Sequence, residues 1–208
     1  MNNYNILRYN KIIYYQIKLF KQKGKKMKKS ILLSVFAFTL VSSLNAYELN
    51  GQIGVKWTGF KTEKKAAVSG TFNDIKLDIK SSDKLSDFLS TAKVKIVSAS
   101  LESKNPERND NITSTLFSLA TSKLIAGSIS KVDEKENTLT LAVTMNEVTK
   151  DIPMTYEIID GNIIAKGTLE ILDFNMKDSF LAFAKKCAEF HENKSFSDVN
   201  IEFTIPFK

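Results

Sequence analysis

One cysteine, Cys187, is all this chain has. It cannot close an internal disulfide, so stability has to come from packing. There is one histidine, His191. A single Cys and a single His do not make a usual zinc site without carboxylates, although their i, i+4 spacing would place both on one helix face. A Ser-His-Asp triad would have to use His191, which stands among Glu189 and Glu192 in a polar stretch. Eight glycines in 208 residues leave little material for phosphate-cradling loops, and no G-x-S-x-G elbow, P-loop or G-x-G-x-x-G occurs. Conventional enzyme chemistry is poorly supported, and no catalytic residue, metal site or cofactor is assigned. No internal repeat and no low-complexity linker breaks the chain.

Acidic residues are absent from the first 46 positions, whereas nine of the 30 basic ones fall there. Met27, a second candidate start, is followed by Lys28 and Lys29, then by an uncharged run from Ile31 to Leu44 and by Asn45-Ala46. A basic region, a short apolar core and a small residue at the cut are the parts of a secretory signal peptide. The run of 14 residues is short of the ~20 that a spanning helix needs. Residues 27–46 are therefore expected to be a cleaved export signal. Residues 1–26 are read as a mis-assigned or extended N-terminus, and the mature domain as 47–208. The whole chain has a formal net charge of +7, but the mature part keeps 21 basic against 23 acidic residues, a net of −2. The basic character belongs to the leader, and the charge argument for a nucleic-acid partner goes with it. The 162 residues that remain suit one domain with a sizeable core.

Most of that part alternates with the two-residue period of half-buried strands. Leu49, Gly51, Ile53, Val55 and Trp57 share one face. Val68, Gly70 and Phe72 repeat the pattern, and the phase slips at Asn73-Asp74, which predicts a bulge or turn. Lys93–Leu101, Ser122–Val132, Thr138–Met145, Thr149–Ile159, Ile163–Ile171 and Val199–Phe207 follow. Asp160-Gly161-Asn162 is a hairpin signal. Three segments break the period: a short helix over Asp83–Ser90, a helix within Pro106–Ala120 with Pro106 in its first turn, and an amphipathic helix over Asp178–Glu192 capped by Asp178 or Ser179. Phe180, Phe183, Ala184, Cys187 and Ala188 share its apolar side. The pattern predicts an all-β fold with minor helices: an eight-stranded antiparallel barrel plus this helix near the C-terminus. A sandwich is the alternative. An interior of that strand number is either filled or holds one small apolar ligand.

Three stretches carry a resemblance. The first is Asn105-Pro106-Glu107-Arg108-Asn109-Asp110-Asn111-Ile112-Thr113-Ser114 with Phe117. The second is Leu139-Thr140-Leu141 leading through Asn146-Glu147-Val148-Thr149-Lys150-Asp151-Ile152-Pro153-Met154. The third is Asp173-Phe174. With Val68-Ser69-Gly70-Thr71-Phe72, their order resembles the YceI-like family of exported lipid-binding proteins over Leu49 to Phe207. Asn111 stands where the family has His, and Glu147 where it has Gly before Val148. The resemblance implies a lipocalin-like barrel exported to the periplasm, with an apolar cavity for an isoprenoid chain or similar amphiphile.

The expected function is a periplasmic carrier, or a secreted one, for an apolar lipid such as a polyprenyl chain or isoprenoid quinone. Burying such a tail yields about 25 cal/mol per Å², so a carrier needs a dry tunnel and few polar groups at its mouth. Leu141, Val143, Met154, Tyr156, Ile201 and Phe203 are candidates to line it. Trp57, Phe72 and Phe174 would stand near its ends, and Phe180 and Phe183 would plug it or act as a lid that touches a membrane. Arg108 and Asp110 are read first as an ion pair or helix cap, then with Asn111 as head-group contacts. Thr149 and Lys150 are placed in a turn. Asn111-Ile112-Thr113 fits a glycosylation pattern. The alternative is an exported stress-response or interaction module with a filled barrel. A homodimer is left open.

Overall fold

The computed structural model describes residues 46–208. The predicted leader up to residue 45 lies outside the described residues. Ten strands form one antiparallel sheet: β1 (Gly54–Lys61), β2 (Ala66–Phe72), β3 (Ile75–Asp78), β4 (Lys93–Val97), β5 (Leu101–Glu102), β6 (Leu124–Asp133), β7 (Thr138–Met145), β8 (Val148–Ile159), β9 (Asn162–Glu170) and β10 (Asp198–Pro206). Their order is β3-β4-β6-β7-β8-β9-β10-β1-β2-β5. The sheet is a single curled, lipocalin-like layer, not a two-sheet sandwich.

Ten strands replace the eight expected because two alternating stretches are each cut in two. Asn73-Asp74 separates β2 from β3, and a 3₁₀ turn at Ser98–Ser100 separates β4 from β5. The slip at Asn73-Asp74 is thus a break between strands. The two breaks face each other: Asn73 N–H donates to the Ser100 carbonyl at 2.9 Å, Val97 N–H to the Asp74 carbonyl at 3.1 Å, and Asp74 N–H to Ser100 Oγ at 3.0 Å. Chain direction can change here because the backbone groups freed from the strand ladder still find partners. The strand expected from Leu49 becomes regular only at Gly54; before it, Tyr47 and Leu49 make isolated bridges to Ser82 and Phe207.

Two tight turns set the registers of the central hairpins. Asp160 (φ 49°) and Gly161 (φ 74°) join β8 to β9, as the Asp-Gly pair predicts. Asn146 (φ 50°) and Glu147 (φ 64°) join β7 to β8. Thr149 and Lys150, expected in this turn, are instead paired strand residues opposite Thr144 and Val143. Asn146 is held on both sides: its Oδ1 accepts from Thr121 N–H at 2.7 Å and its Nδ2 donates to the Phe174 carbonyl at 3.0 Å.

Three helices accompany the sheet: α1 (Leu85–Ser90), α2 (Pro106–Ile112) and α3 (Lys177–Lys186). In α2, Pro106 occupies the first turn and the Asn105 side chain accepts from Arg108 N–H, which satisfies one of the free N–H groups of that turn. A π-turn, Thr113–Phe117, continues it. Helix α3 starts earlier and ends sooner than Asp178–Glu192. Its N-cap is Met176, with no side-chain cap bond, so neither Asp178 nor Ser179 caps it. A separate 3₁₀ turn, Glu189–His191, follows.

The strand registers give the sheet two unlike ends. One carries the β6–β7 and β8–β9 turns and the last residues of β10. There Phe88 and Leu89 of α1 are fully buried, and Tyr47 packs on the rings of Phe88 and Phe207 at 6.1 and 5.4 Å between centroids. The other end carries the β7–β8 turn, α2, the π-turn, and the connection from β9 to β10 that contains α3.

Candidate functional site

Alternation sends every second residue of each strand inward. On β1 that row is Val55, Trp57, Gly59 and Lys61, and all four line an internal cavity of about 320 Å³, within the ~300–1,000 Å³ typical of ligand cavities. Phe72 of β2, Leu141 and Val143 of β7, and Ile201 and Phe203 of β10 line it as well. So do Phe180 and Phe183, which α3 places over the end away from α1. The wall is overwhelmingly apolar.

Three predicted lining residues lie elsewhere. Met154 and Tyr156 are buried at 3% and 6% exposure but do not border the cavity. Met154 pairs with Leu139 and Gly167, and Tyr156 with Ala165, in the filled half of the interior. Burial raises the Tyr156 hydroxyl pKa, with Glu134 and Asp133 adding to the shift. Phe174 is fully buried beneath the turn Ile171–Phe174 and also stands off the cavity.

The polar rim gathers at the α2–α3 end. Arg108 and Asn111 border the cavity, but Asp110 does not. Arg108 and Asp110 form no ion pair. Asp110 Oδ2 meets Lys186 Nζ of α3 at 3.5 Å on the surface, and Arg108 Nη1 donates to the Ser103 carbonyl at 3.4 Å. Asn111 is buried at 7% exposure, which takes it out of reach of glycosylation. Helix α2 is tied to β5 through Asn109. Its Oδ1 accepts from Ser103 N–H at 2.9 Å, and its Nδ2 donates to Glu102 Oε1 at 3.1 Å. The latter bond is the main cause of the lowered Glu102 pKa.

The sequence reading did not single out Phe60, Phe196, Lys61 or His191, which also border the cavity; Lys61 continues the inward row of β1 beyond Trp57, where that reading stopped. Phe196 and His191 sit in an irregular connection where no periodicity exists to find them. Lys61 Nζ donates to the Phe190 carbonyl at 3.1 Å, joining the rim of β1 to the 3₁₀ turn after α3. His191 packs edge-on to Phe183 at 5.5 Å, and its Nδ1 is 2.7 Å from Ser195 Oγ. Burial lowers its pKa, and the positive charges of Lys61 and Arg108 lower it further. Among the described residues no carboxylate hydrogen-bonds this ring, so the Ser–His pair has no orienting third group. Cys187 is buried beside the cavity, and that burial raises its thiol pKa. Among the described residues, no group of three or more His, Cys, Asp and Glu side chains is placed to hold a metal ion.

One polar atom in the wall stands out. Trp57 Nε1 is buried without a hydrogen-bond partner, the one such side-chain atom among the described residues.

The sequence model of the YceI-like domain matches residues 46–207. Two solved structures share the fold. BcnA of Burkholderia cenocepacia superposes with a TM-score of 0.54 at 16% identity, over 76% of this chain and 98% of that one. A polyisoprenoid binding domain from Saccharophagus degradans, implicated in plant cell wall breakdown, superposes with a TM-score of 0.53 at 13% identity, over 78% and 98%. No curated protein matches the sequence.

Proposed function

We propose that this chain, which belongs to the YceI-like family, is an exported, non-enzymatic binding protein that holds an isoprenoid or other long-chain amphiphile in its cavity. The observation that carries the reading is the cavity itself: an apolar void of about 320 Å³ under α3. A tightly packed core has few voids larger than a water molecule, and a cavity of this size with a mostly apolar wall is suited to hydrocarbon. The fold it shares with a polyisoprenoid binding domain supports the same reading, with a polyprenyl chain or isoprenoid quinone as the leading ligands.

Export rests on the basic and apolar segments of residues 27–46, and a periplasmic location follows from it. In an aqueous compartment beside membranes, a long-tailed lipid needs shielding to travel. Leu119, Leu172, Leu181 and Phe190 are exposed at 60, 41, 53 and 52%. All four stand on or next to the segments that cover the cavity, which supports transient contact with a membrane during loading.

The test is native mass spectrometry of protein purified from its own host, followed by organic extraction. A lipid recovered in near-stoichiometric amount, on a chain whose N-terminus is Tyr47, is the expected result. Bare protein that takes up neither added polyprenol nor quinone would refute the carrier, and an intact leader on the periplasmic form would refute cleavage.

A further inference from the structure

Four glycines stand on the inward rows of the strands, and three of them make room for a neighbour. A β-carbon at Gly70 of β2 would stand 2.5 Å from the Trp57 ring, one at Gly127 of β6 2.9 Å from Val94 Cγ1, and one at Gly167 of β9 2.9 Å from Met154 Cγ. Each of these is held to glycine by packing, because a side chain there would overfill the site. Gly59 of β1 is different. Apart from its chain neighbours, a β-carbon there would meet no atom of the described residues within 4 Å, although Gly59 borders the cavity between Trp57 and Lys61 on the inward row.

The backbone does not ask for glycine at this position either. Among the described glycines only Gly51 and Gly161 have a positive φ. The pairing with β2 runs unshifted through Thr58–Ser69, Gly59–Val68 and Phe60–Ala67, so no bulge needs the small residue. A glycine inside a regular strand weakens it, and one there often marks a place where a ligand approaches closely. The space beside Gly59 belongs to the cavity: Val68, its partner on β2, lines it, and so do Val199 and Phe196. Toward α1 the cavity is blind, ending among Ala92, Ile129 and Ile205, which are buried. Toward α3 it reaches Phe190, which is exposed. Gly59 therefore widens the cavity on the side of its mouth.

We infer that Gly59 determines specificity by width: the room left by its absent side chain is taken by the methyl branches of a ligand chain, so this residue decides whether a branched chain or only a straight one can enter. This rests on the carrier reading and adds to it the residue that sets which chain shape the carrier takes. A hydrophobic pocket separates ligands that differ by one methylene-sized group by about 10–200-fold, which is the scale of effect expected when the room for a branch is filled.

The probes are geranylgeraniol and 1-hexadecanol, two alcohols of one backbone length of which only the first carries methyl branches. Delipidated protein is offered an equimolar mixture, repurified and extracted, and the ratio of the alcohols recovered is read. Gly59→Val is expected to shift that ratio about tenfold or more toward hexadecanol relative to wild type, with hexadecanol uptake retained. Gly59→Ala is expected to shift it less, in the same direction. The urea midpoints of both variants are expected to equal or exceed that of wild type, because the new side chain enters free space and the unfolded chain loses freedom. An unchanged ratio in Gly59→Val overturns the inference, and so does an equal loss of both alcohols. A lowered midpoint in Gly59→Ala, or a Gly59→Val chain that does not fold, assigns the glycine to packing and overturns it too. If wild-type protein recovers neither alcohol, the carrier reading falls and takes this inference with it.

Discussion

The indole of Trp57 lies against the backbone of Gly70: a β-carbon added at Gly70 would stand 2.5 Å from Trp57 Cζ2 and 2.7 Å from Cε2. The two residues are cross-strand partners on β1 and β2. The small residue on one strand is what allows the large one to lie flat along the wall of the cavity.

Gly70→Ala should therefore act through Trp57. The same β-carbon would also stand 2.6 Å from the Glu102 carbonyl oxygen, so neither side can yield cheaply. Overpacking of this kind costs about 1–3 kcal/mol. Urea denaturation should show that loss, and the tryptophan emission should shift as the ring is displaced. Unchanged stability and emission would contradict the geometry.

Filling the cavity and overpacking the core should have opposite signatures. Val143 borders the void, so Val143→Phe is expected to leave Tm unchanged or higher and to abolish lipid uptake. Met154 is packed in the filled half, its Cγ 2.9 Å from where a Gly167 side chain would begin. Met154→Phe is expected to cost about 1–3 kcal/mol, while the folded protein keeps its uptake. Equal uptake by wild type and the Val143 variant would remove the cavity from the mechanism.

Glu147 adopts φ 64° in the two-residue β7–β8 turn, a conformation that costs a residue with a β-carbon about 1–2 kcal/mol. Glycine adopts it freely but adds entropy to the unfolded chain. Glu147→Gly should raise stability by a net of about 0.5–1 kcal/mol, visible as a higher urea midpoint. Asn146→Gly should lower it, because the side chain there accepts from Thr121 N–H and donates to the Phe174 carbonyl.

His191 should make stability depend on pH. Its folded pKa lies below the ordinary value of 6.5, first through burial and then through Lys61 and Arg108. Between the folded and unfolded values the unfolded chain binds more protons, so stability rises with pH across that window. It is fully present above the unfolded value and declines as pH falls from about 6.5 toward the folded value. Denaturation midpoints measured at about pH 7.5 and 5.5 should differ more for wild type than for His191→Gln. The same slope in both proteins would assign the effect to other groups.

Much of this was legible in the sequence because strand alternation is a local signal. The inward rows of β1, β7 and β10 follow from side chains that point to opposite faces in turn. The Asp160-Gly161 hairpin follows from the one residue type that tolerates its backbone at no cost. The motifs around Arg108, Val148 and Phe174 were enough to recognise the family.

Alternation says which face a residue takes but not how far along the interior it sits. Met154, Tyr156 and Val143 read alike in the sequence. Only the tertiary structure puts the first two in the half filled beside α1, and the third on the void beneath α3. The strand count had the same limit: the breaks at Asn73-Asp74 and Ser98–Ser100 are stable because each supplies the other's backbone partners, and those partners are about 25 residues apart along the chain. Composition and periodicity by themselves determined that this is an antiparallel β protein with an apolar interior, and left barrel and sandwich as alternatives, since burial of alternate side chains is a nearest-neighbour property. Where the cavity lies in that interior was decided by contacts between distant segments: the indole of Trp57 laid against Gly70, and Phe180 and Phe183 of α3 lining the same cavity as that indole.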